Sequence, residues 1–301
     1  MDGIINVYKP AGMSSFSCVK KVSGIVGEKK AGHGGTLDPE ATGILPVFLG
    51  KATKLTDFMH SYNKSYRAGF LLGRATDSCD IWGNTISETE ISKLNNVTKK
   101  QIETALMSFI GECTQIPPMY SAIKIGGVPA YKLARAGKDV EVKSRVVNIF
   151  TVQLLSYDDE THIGVFDISC SKGTYIRSVC SDLGKKLGIE ACMCSLERTE
   201  YGPFNMTNSV NLEHCSIENI LPCDYFLKKY PVVELDNDEA KKYASGAYKV
   251  IDLKNKTVSG DILPGQEYLR IYNNGVLFAL AKVKYDYVKS IMELTPYKFF
   301  G

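Results

Sequence analysis

The chain has 301 residues, of which 44% are hydrophobic, 23% charged and 10% aromatic. These proportions are typical of a globular protein with about two domains, and they exclude a peptide hormone, a small disulfide scaffold and a disordered chain. No apolar run reaches the roughly 18 residues of a membrane helix, and the N-terminus lacks a signal-peptide pattern. We therefore expect neither membrane spanning nor export.

The predicted elements mix helices and strands in an irregular order along the first 230 residues. The apolar patterns predict strands at 4–8, 45–49, 66–72, 146–155, 163–170 and 193–200. Helices are predicted at 15–26, 51–60, 99–110 and 175–187. A capping box formed by Thr98 and Gln101 marks the start of the third helix. The chain has neither a regular βαβ alternation nor a glycine-rich phosphate loop, which disfavours a nucleotide cofactor.

The pattern changes after residue 230. One short helix is predicted at 238–244, and the strands that follow it are predicted at 248–253, 267–272, 276–283 and 291–294. Turn signals separate these strands, so residues 231–301 are predicted to form a small domain resembling a β-barrel.

The nine cysteines and the net charge do not indicate a ligand, whereas one segment carries an excess of basic residues. An odd number of cysteines without a signal peptide predicts reduced thiols in a cytoplasmic protein, and the absence of a C-x-x-C pair predicts no metal site. The net charge of +3 does not indicate nucleic-acid binding by itself. Residues 119–150, however, carry six basic residues against two acidic ones. This segment is either a phosphate-binding patch or an ordinary solvated surface.

Residues 32–47 are the densest candidate site, with four glycines, two prolines, His33 and two carboxylates, Asp38 and Glu40. Pro39 restricts the backbone of Asp38, which suits a nucleophile or a base. Asp followed by Pro is equally a helix start, with Asp38 as N-cap. His33 is either a packing residue or a ring that stacks on a nucleobase.

Two further residues stand out. Tyr66 lies in an apolar strand, where tyrosine usually packs in the core. Gly173 and Thr174 predict a loop and an N-cap, which places Arg177 in the first turn of the next helix. The helix dipole disfavours a cation there, so Arg177 is expected to pair with an anion, either a carboxylate or a phosphate.

Together these segments resemble the TruB family of tRNA pseudouridine synthases. The resemblance lies in G-H-G-G-T-L-D-P-E-A-T-G-I-L-P-V at 32–47, K-S-Y at 64–66 and G-T-Y-I-R-S-V-C-S-D-L-G at 173–184. Three further segments, at 6–15, 115–124 and 196–204, are similar to the family's other motifs and occur in the same order.

The resemblance implies an α+β fold. It implies a mixed, mainly antiparallel sheet of the pseudouridine synthase type with flanking helices over 1–230, and a basic thumb-like insertion at about 119–150. It also implies a PUA-like β-barrel domain over 231–301.

The resemblance further implies the activity and the site. The enzyme would isomerise a uridine in the T-arm loop of tRNA to pseudouridine without a cofactor. Asp38 would be the catalytic aspartate, Tyr66 would stack on the target base, and Arg177 would pair with Asp38 and lower its pKa. The residues that would bind substrate or build its pocket are Lys9, His33, Tyr175, Leu196, Lys132 and Arg135.

We expect tRNA as the partner, no membrane, no obligatory protein partner and a monomeric enzyme. Three alternatives stay open: a guide-RNA-dependent synthase of the dyskerin type, a non-catalytic tRNA-binding or chaperone protein, and a glycosidase. The basic segment favours direct tRNA recognition, and the joint presence of Asp38, Tyr66 and Arg177 argues against a non-catalytic protein. A glycosidase would need a second carboxylate opposite Asp38, for which Glu40 is the near candidate.

Overall fold

A computed structural model describes residues 1–121, 123–130, 133, 136, 142–247, 250–252, 258–260, 267–286 and 291–300. The helices are α1 (Ser15–Val26), α2 (Thr56–Met59), α3 (Ile91–Leu94), α4 (Lys99–Met107), α5 (Ile176–Leu187) and α6 (Asn237–Ala244). Short 3₁₀ helices span Gly50–Leu55, Met206–Asn208, Leu212–His214 and Ile217–Asn219. None of the helices in this part of the chain is long and apolar enough to cross a membrane.

The strands divide into a first group before residue 212 and a second group after residue 231. The first group is β1 (Gly3–Lys9), β2 (Ala31–His33), β3 (Thr42–Leu49), β4 (Lys64–Leu72), β5 (Arg74–Thr76), β6 (Thr85–Glu88), β7 (Gly111–Gln115), β8 (Lys124–Ile125), β9 (Val128–Pro129), β10 (Arg145–Asp158), β11 (Ile163–Cys170), β12 (Ala191–Tyr201), β13 (Phe204–Asn205) and β14 (Val210–Asn211). The second group is β15 (Val232–Glu234), β16 (Val250–Asp252), β17 (Val258–Ser259), β18 (Tyr268–Asn273), β19 (Val276–Asp286) and β20 (Ile291–Phe299).

A ten-stranded mixed sheet positions the candidate site. Its main order is β14-β1-β3-β12-β4-β11-β10-β7, with β2 added to β3 and β13 to β12. Most neighbours are antiparallel, whereas β1 with β14 and β3 with β12 are parallel. Strand β3 is buried from Gly43 onwards, because it lies inside the sheet with both faces covered. The predicted α+β class is therefore confirmed.

Two helices cover the face of this sheet that carries the largest apolar cluster. Helix α4 begins with the predicted capping box, in which Thr98 and Gln101 satisfy each other's backbone N–H groups. Helix α5 buries Val179, Cys180 and Leu183 in the cluster, on one side of the helix as its periodicity predicts. Helix α5 is thereby fixed against the sheet with its N-terminus near β4.

The predicted helix at 51–60 is wrong in its first half. Residues Gly50–Leu55 form a 3₁₀ helix, and only Thr56–Met59 is α-helical. The hydroxyls of Thr53 and Thr56 donate to the carbonyls three residues earlier, Gly50 and Thr53. These side-chain hydrogen bonds compete with the α-helical pattern and favour the tighter turn.

The second strand group forms a separate six-stranded sheet of order β16-β20-β19-β18-β15-β17. Among the described residues β16 and β17 are its two ends, so they form no closed barrel. An apolar cluster joins this sheet to the first one, and its members include Ile4, Phe48, Phe58, Phe226, Leu277 and Leu280. The ring centroid of Phe58, for example, lies 5.0 Å from that of Tyr268.

Candidate active site

Asp38 lies in the loop that connects β2 to β3. The N–H of Ala41 donates to the Asp38 carbonyl at 3.1 Å, and β3 begins at the next residue. The alternative interpretation of Asp38 as a helix N-cap is therefore wrong, because a turn and a strand follow Pro39. The residues from Gly43 to Leu49 are buried in the sheet as strand β3 and do not continue as a helix.

Two buried side chains fix the backbone on either side of Asp38. The Ser15 hydroxyl accepts from the Leu37 N–H at 2.9 Å and donates to the Leu37 carbonyl at 3.0 Å. The fully buried Lys9 ammonium donates to the carbonyl of Pro39 at 2.9 Å, and to those of Pro10 and Met13. Burial lowers the pKa of Lys9. Lys9 therefore supports the loop that carries Asp38 and does not line the cleft itself.

Arg198 and Tyr201 fix the part of the loop that comes before Asp38. Neither residue was assigned a role from the sequence. The buried Arg198 guanidinium donates to the Gly35 carbonyl at 3.1 Å and to the Ile44 carbonyl at 2.7 Å. The Tyr201 hydroxyl donates to the Gly34 carbonyl at 2.8 Å. Because a Cβ atom on Gly43 would lie 2.3 Å from the Arg198 carbonyl, glycine lets β3 and β12 approach closely here.

Arg177 pairs with Asp38, as predicted. Its Nε lies 3.1 Å from Asp38 Oδ2, and Nη2 lies 3.4 Å from Asp38 Oδ1. Arg177 is in the first turn of α5, but the N-cap is Tyr175, so the predicted Thr174 cap is wrong. The Thr174 hydroxyl donates to the Ser171 carbonyl instead, which uses up the capping group.

Asp80 is a second carboxylate at the site that sequence analysis missed. Asp80 Oδ2 lies 3.6 Å from Arg177 Nη1, and the same Nη1 donates to the Ser78 carbonyl at 3.1 Å. The Ser78 hydroxyl donates to Asp80 Oδ1 at 2.7 Å and fixes that side chain. Nη2 of Arg177 also donates to the Tyr120 carbonyl at 2.9 Å. Arg177 thus joins three segments that are distant in sequence.

The electrostatic balance at Asp38 differs from the expectation. The Asp38 side chain is 40% exposed at the mouth of the cleft and is otherwise enclosed by protein. Burial raises the pKa of Asp38, and the negative charge of Asp80 raises it further. Arg177 and Lys9 act in the opposite direction without outweighing burial. Arg177 lowers the pKa of Asp38 as predicted, but burial raises it by more, so the net shift is upward.

We expect the Asp80→Asn substitution to lower the pKa of Asp38, because it removes a nearby negative charge. If Asp38 must be ionised, the acid limb of the pH–rate profile moves to lower pH even where the maximal rate falls. Single-turnover rates at a series of pH values test this. Asp77→Asn is the matched control, because Asp77 binds Asn84 in the same loop. An acid limb that stays in place or moves upward would contradict the assignment of Asp80.

A cleft with a volume of about 100 Å³ opens above Asp38. It brings together five of the predicted residues, and its lining is Thr36, Leu37, Asp38, Tyr66, Thr174, Tyr175, Ile176, Arg177 and Leu196. A larger cavity of about 540 Å³ is lined by residues of α5 and the segment 113–118 among others, and contains none of the predicted site residues. The smaller cleft is therefore the candidate site.

The aromatic and apolar walls of the cleft come from adjacent strands and from the start of α5. Tyr66 is 8% exposed on β4, and burial raises the pKa of its hydroxyl. Leu196 on β12 lies opposite Ala68 of β4. The backbone of Tyr175 exchanges two hydrogen bonds with the Gln115 side chain, at 2.7 and 2.9 Å. Around Asp38, Tyr66 therefore forms an aromatic wall, Leu196 forms an aliphatic wall, and the hydrogen-bonded segment at Tyr175 forms a polar wall.

The remaining predicted residues are His33, Lys132 and Arg135. His33 is half-buried on β2 opposite Val47, and its Nδ1 has no hydrogen-bond partner among the described residues. Burial and the nearby Arg198 lower its pKa, which favours the neutral ring. His33 does not line the cleft. Lys132 and Arg135 lie outside the described residues.

Most of the chain is similar in sequence to proteins of one family. Residues 23–176 match the model of the TruB family pseudouridylate synthase N-terminal domain. Residues 177–224 match that of the tRNA pseudouridylate synthase B C-terminal domain. The tRNA pseudouridine synthase B of Clostridium tetani is 41% identical over 286 residues, which cover 94% of this chain and 96% of that protein. That of Dehalococcoides mccartyi is 43% identical over 265 residues, covering 85% and 86%.

Solved structures share the fold. A Cbf5-Nop10-Gar1 complex contains a chain that superposes with a TM-score of 0.72 at 24% identity, covering 99% of this chain and 85% of that one. An H/ACA RNP bound to a substrate RNA containing 2′-deoxyuridine gives a TM-score of 0.71 at 23% identity, with coverage of 99% and 85%.

Proposed function

The chain belongs to the TruB family of pseudouridylate synthases, and from this we propose that it converts a uridine of tRNA into pseudouridine, the target lying in the T-arm loop. The observation that carries the proposal is the Asp38–Arg177 pair at the base of a cleft with Tyr66 and Leu196 on its walls. This arrangement supplies a fixed carboxylate beside aromatic and apolar surfaces, which is what an extruded pyrimidine requires.

The reaction rearranges bonds without oxidation or reduction. The C1′–N1 bond of the uridine breaks, the base turns over, and a C1′–C5 bond forms. C5 then releases a proton and N1 ends with one. An ionised Asp38 carboxylate can drive this by attack on C1′ or on C6, or by stabilising a glycal intermediate. Every route requires the charged form of Asp38, whose raised pKa therefore sets the acid limit of activity.

Arg177 is the positioning residue of the proposed site. Its planar guanidinium spans Asp38, Asp80 and the Ser78 carbonyl, so it holds the carboxylate in one orientation. Tyr66 is proposed to stack on the flipped base, and Leu196 and Tyr175 to bound it. Lys9 contributes by fixing the loop through the Pro39 carbonyl.

Other residues are proposed to act on the RNA around the target. His33, with its neutral ring, is proposed to contact the substrate loop where the uridine leaves the stack. Lys132 and Arg135 are proposed to bind backbone phosphates from the thumb-like insertion at about 119–150. We also propose that the enzyme acts as a cytoplasmic monomer on tRNA without a protein partner.

We propose that residues 1–230 form the catalytic domain and that residues 231–301 form a PUA-like module that binds tRNA outside the T-arm loop. A chain that ends at Tyr230 should still modify an isolated T-arm stem-loop, because the candidate site lies before that residue. It should melt at a lower temperature, since deletion removes Tyr268 and Tyr297 from the ring of Phe58 in the shared apolar cluster. Its kcat/KM should fall more on full-length tRNA than on the stem-loop. A folded but inactive truncated chain would contradict this division.

Tritium release tests the proposed activity directly. A tRNA transcript labelled with tritium at C5 of uridine loses one label to water for each pseudouridine formed, since C5 becomes the carbon that joins the ribose. We expect release of one label per tRNA without added cofactor. No release from a correctly folded transcript, with folded enzyme in excess, would contradict the proposal.

A further inference from the structure

Lys64 is a partly buried cation beside the cleft to which the mechanism assigns no role. It opens β4 two residues before Tyr66, so both side chains leave the same face of the sheet. Its ammonium lies 4.5 Å from the ring centroid of Tyr201. Within the part of the chain that the structure describes, no carboxylate or carbonyl oxygen pairs with this ammonium.

The charges around Lys64 make an anion favourable there. Burial is the main cause that lowers the pKa of Lys64 to about 8, and the positive charges of Arg198 and the exposed Lys172 lower it further. The Cys170 thiol acts in the opposite direction. Lys64 therefore lies near two further positive groups, and no carboxylate of the described residues pairs with it. A partly desolvated ammonium gains most when a ligand supplies the missing negative charge.

An RNA backbone would bring an anion to this place if a uridine enters the cleft as proposed. Lys64 and Tyr66 are about 7 Å apart along the strand, given about 3.4 Å per residue. That separation is similar to the distance between a nucleobase and the phosphates of its own nucleotide. A base stacked on Tyr66 would therefore place a flanking phosphate near Lys64.

Resting on the proposed function, we propose that Lys64 forms a phosphate subsite, which binds a phosphodiester adjacent to the target uridine and holds the extruded nucleotide in the cleft. The Tyr201 ring orients the ammonium through a cation–π contact. The same ring anchors the loop before Asp38 through its hydroxyl.

A binding cycle tests the subsite. Affinities for a T-arm stem-loop are measured at several salt concentrations in the Asp38→Asn background, where turnover is blocked. Lys64→Met should weaken binding by about tenfold, as expected for a lost charge-assisted hydrogen bond. It should also reduce the slope of log affinity against log salt by about 0.7 to 0.9. Lys93→Met on the exposed surface of α3 is the control, and it should change neither quantity as much.

Replacing a phosphodiester of the RNA by an uncharged linkage identifies the phosphate that Lys64 binds. It also excludes a purely structural effect of the Lys64 substitution. A methylphosphonate is placed in turn at each of the two linkages that flank the target uridine. At one of them the loss should match that of Lys64→Met, and combining the two changes should cost little more than either alone. Full additivity at both linkages, or an unchanged salt slope, would overturn the subsite. A lower melting temperature alone cannot produce this non-additivity.

The pH dependence of binding gives an independent measure. The groups that act on the Lys64 ammonium are Arg198, Tyr201, Cys170 and Lys172. Since only the protonated amine attracts phosphate, affinity should fall as pH rises through about 8. Lys64→Arg should remove that fall, because arginine stays charged. An identical fall in the arginine variant would overturn the assignment. Tritium release by the unaltered enzyme is measured in parallel, so failure of the function and failure of the subsite are separate results.

Discussion

Replacement of Asp38 by asparagine is expected to abolish pseudouridine formation while leaving tRNA affinity nearly unchanged. The amide keeps the shape of the side chain, but it provides no anionic nucleophile in the cleft. The rate should fall at least about a thousandfold, because no other described carboxylate can take its place. Asp80, the nearest other acid in the network, is buried and turned towards Arg177 and Ser78. Single-turnover rates and filter-binding affinities measure the two effects.

Glu40→Gln is the matched control for Asp38→Asn. Glu40 is exposed and lies in the same turn, but it does not line the cleft. It should retain most of the activity, whereas a glycosidase-type mechanism would require it as the second carboxylate. Appreciable activity of pure Asp38→Asn protein, or inactivity of Glu40→Gln, would contradict the assigned role of Asp38.

The Arg177→Lys substitution is expected to reduce the single-turnover rate by about a hundredfold or more. Arginine reaches Asp38 through Nε, the Ser78 carbonyl through Nη1 and the Tyr120 carbonyl through Nη2. A lysine ammonium is one point charge and cannot occupy all three positions. The loss of orientation should appear in kcat more than in tRNA affinity, since Arg177 is only 6% exposed.

The pH profile separates an electrostatic role of Arg177 from a structural one. Arg177 lowers the pKa of Asp38 against the effect of burial. A less well placed cation should therefore move the acid limb to higher pH, opposite to the shift expected for Asp80→Asn. Arg67→Lys is the control, because Arg67 pairs with Asp167 at the surface and should be nearly neutral. A normal rate with an unmoved acid limb would show that Arg177 serves only the fold.

Helices and strands with a clear local sequence pattern were predicted correctly. Helix α1 and strand β11 have the predicted bounds, and α4 has the predicted capping box. The predicted start of α5 was one residue too early, because the Thr174 hydroxyl donates to the Ser171 carbonyl and does not cap the helix. The 3₁₀ segment Gly50–Leu55 was missed, since side-chain hydrogen bonds to the preceding turn leave no periodic signature.

Only part of the site could be predicted from the sequence, because some of its residues come together only in the folded chain. The family motifs include Asp38 and Arg177, whose contact spans 139 residues of sequence. Asp80 and Arg198 were not singled out, because their roles arise when the sheet topology brings loops together. The pKa of Asp38 shows the same limit: the charge of Arg177 is visible in sequence, whereas the burial that outweighs it is a property of the folded cleft.

Mapping of pseudouridine in an unmodified tRNA transcript shows whether the enzyme modifies a T-arm uridine and whether it needs Asp38 to do so. The pure protein is incubated with the transcript, pseudouridines are derivatised with carbodiimide, and primer extension locates the stops. We expect a single new stop in the T-arm loop with the unaltered enzyme and none with Asp38→Asn. Absence of that stop with the folded enzyme would rule out the proposed activity, and its persistence in the Asp38→Asn protein would rule out Asp38 as the catalytic residue.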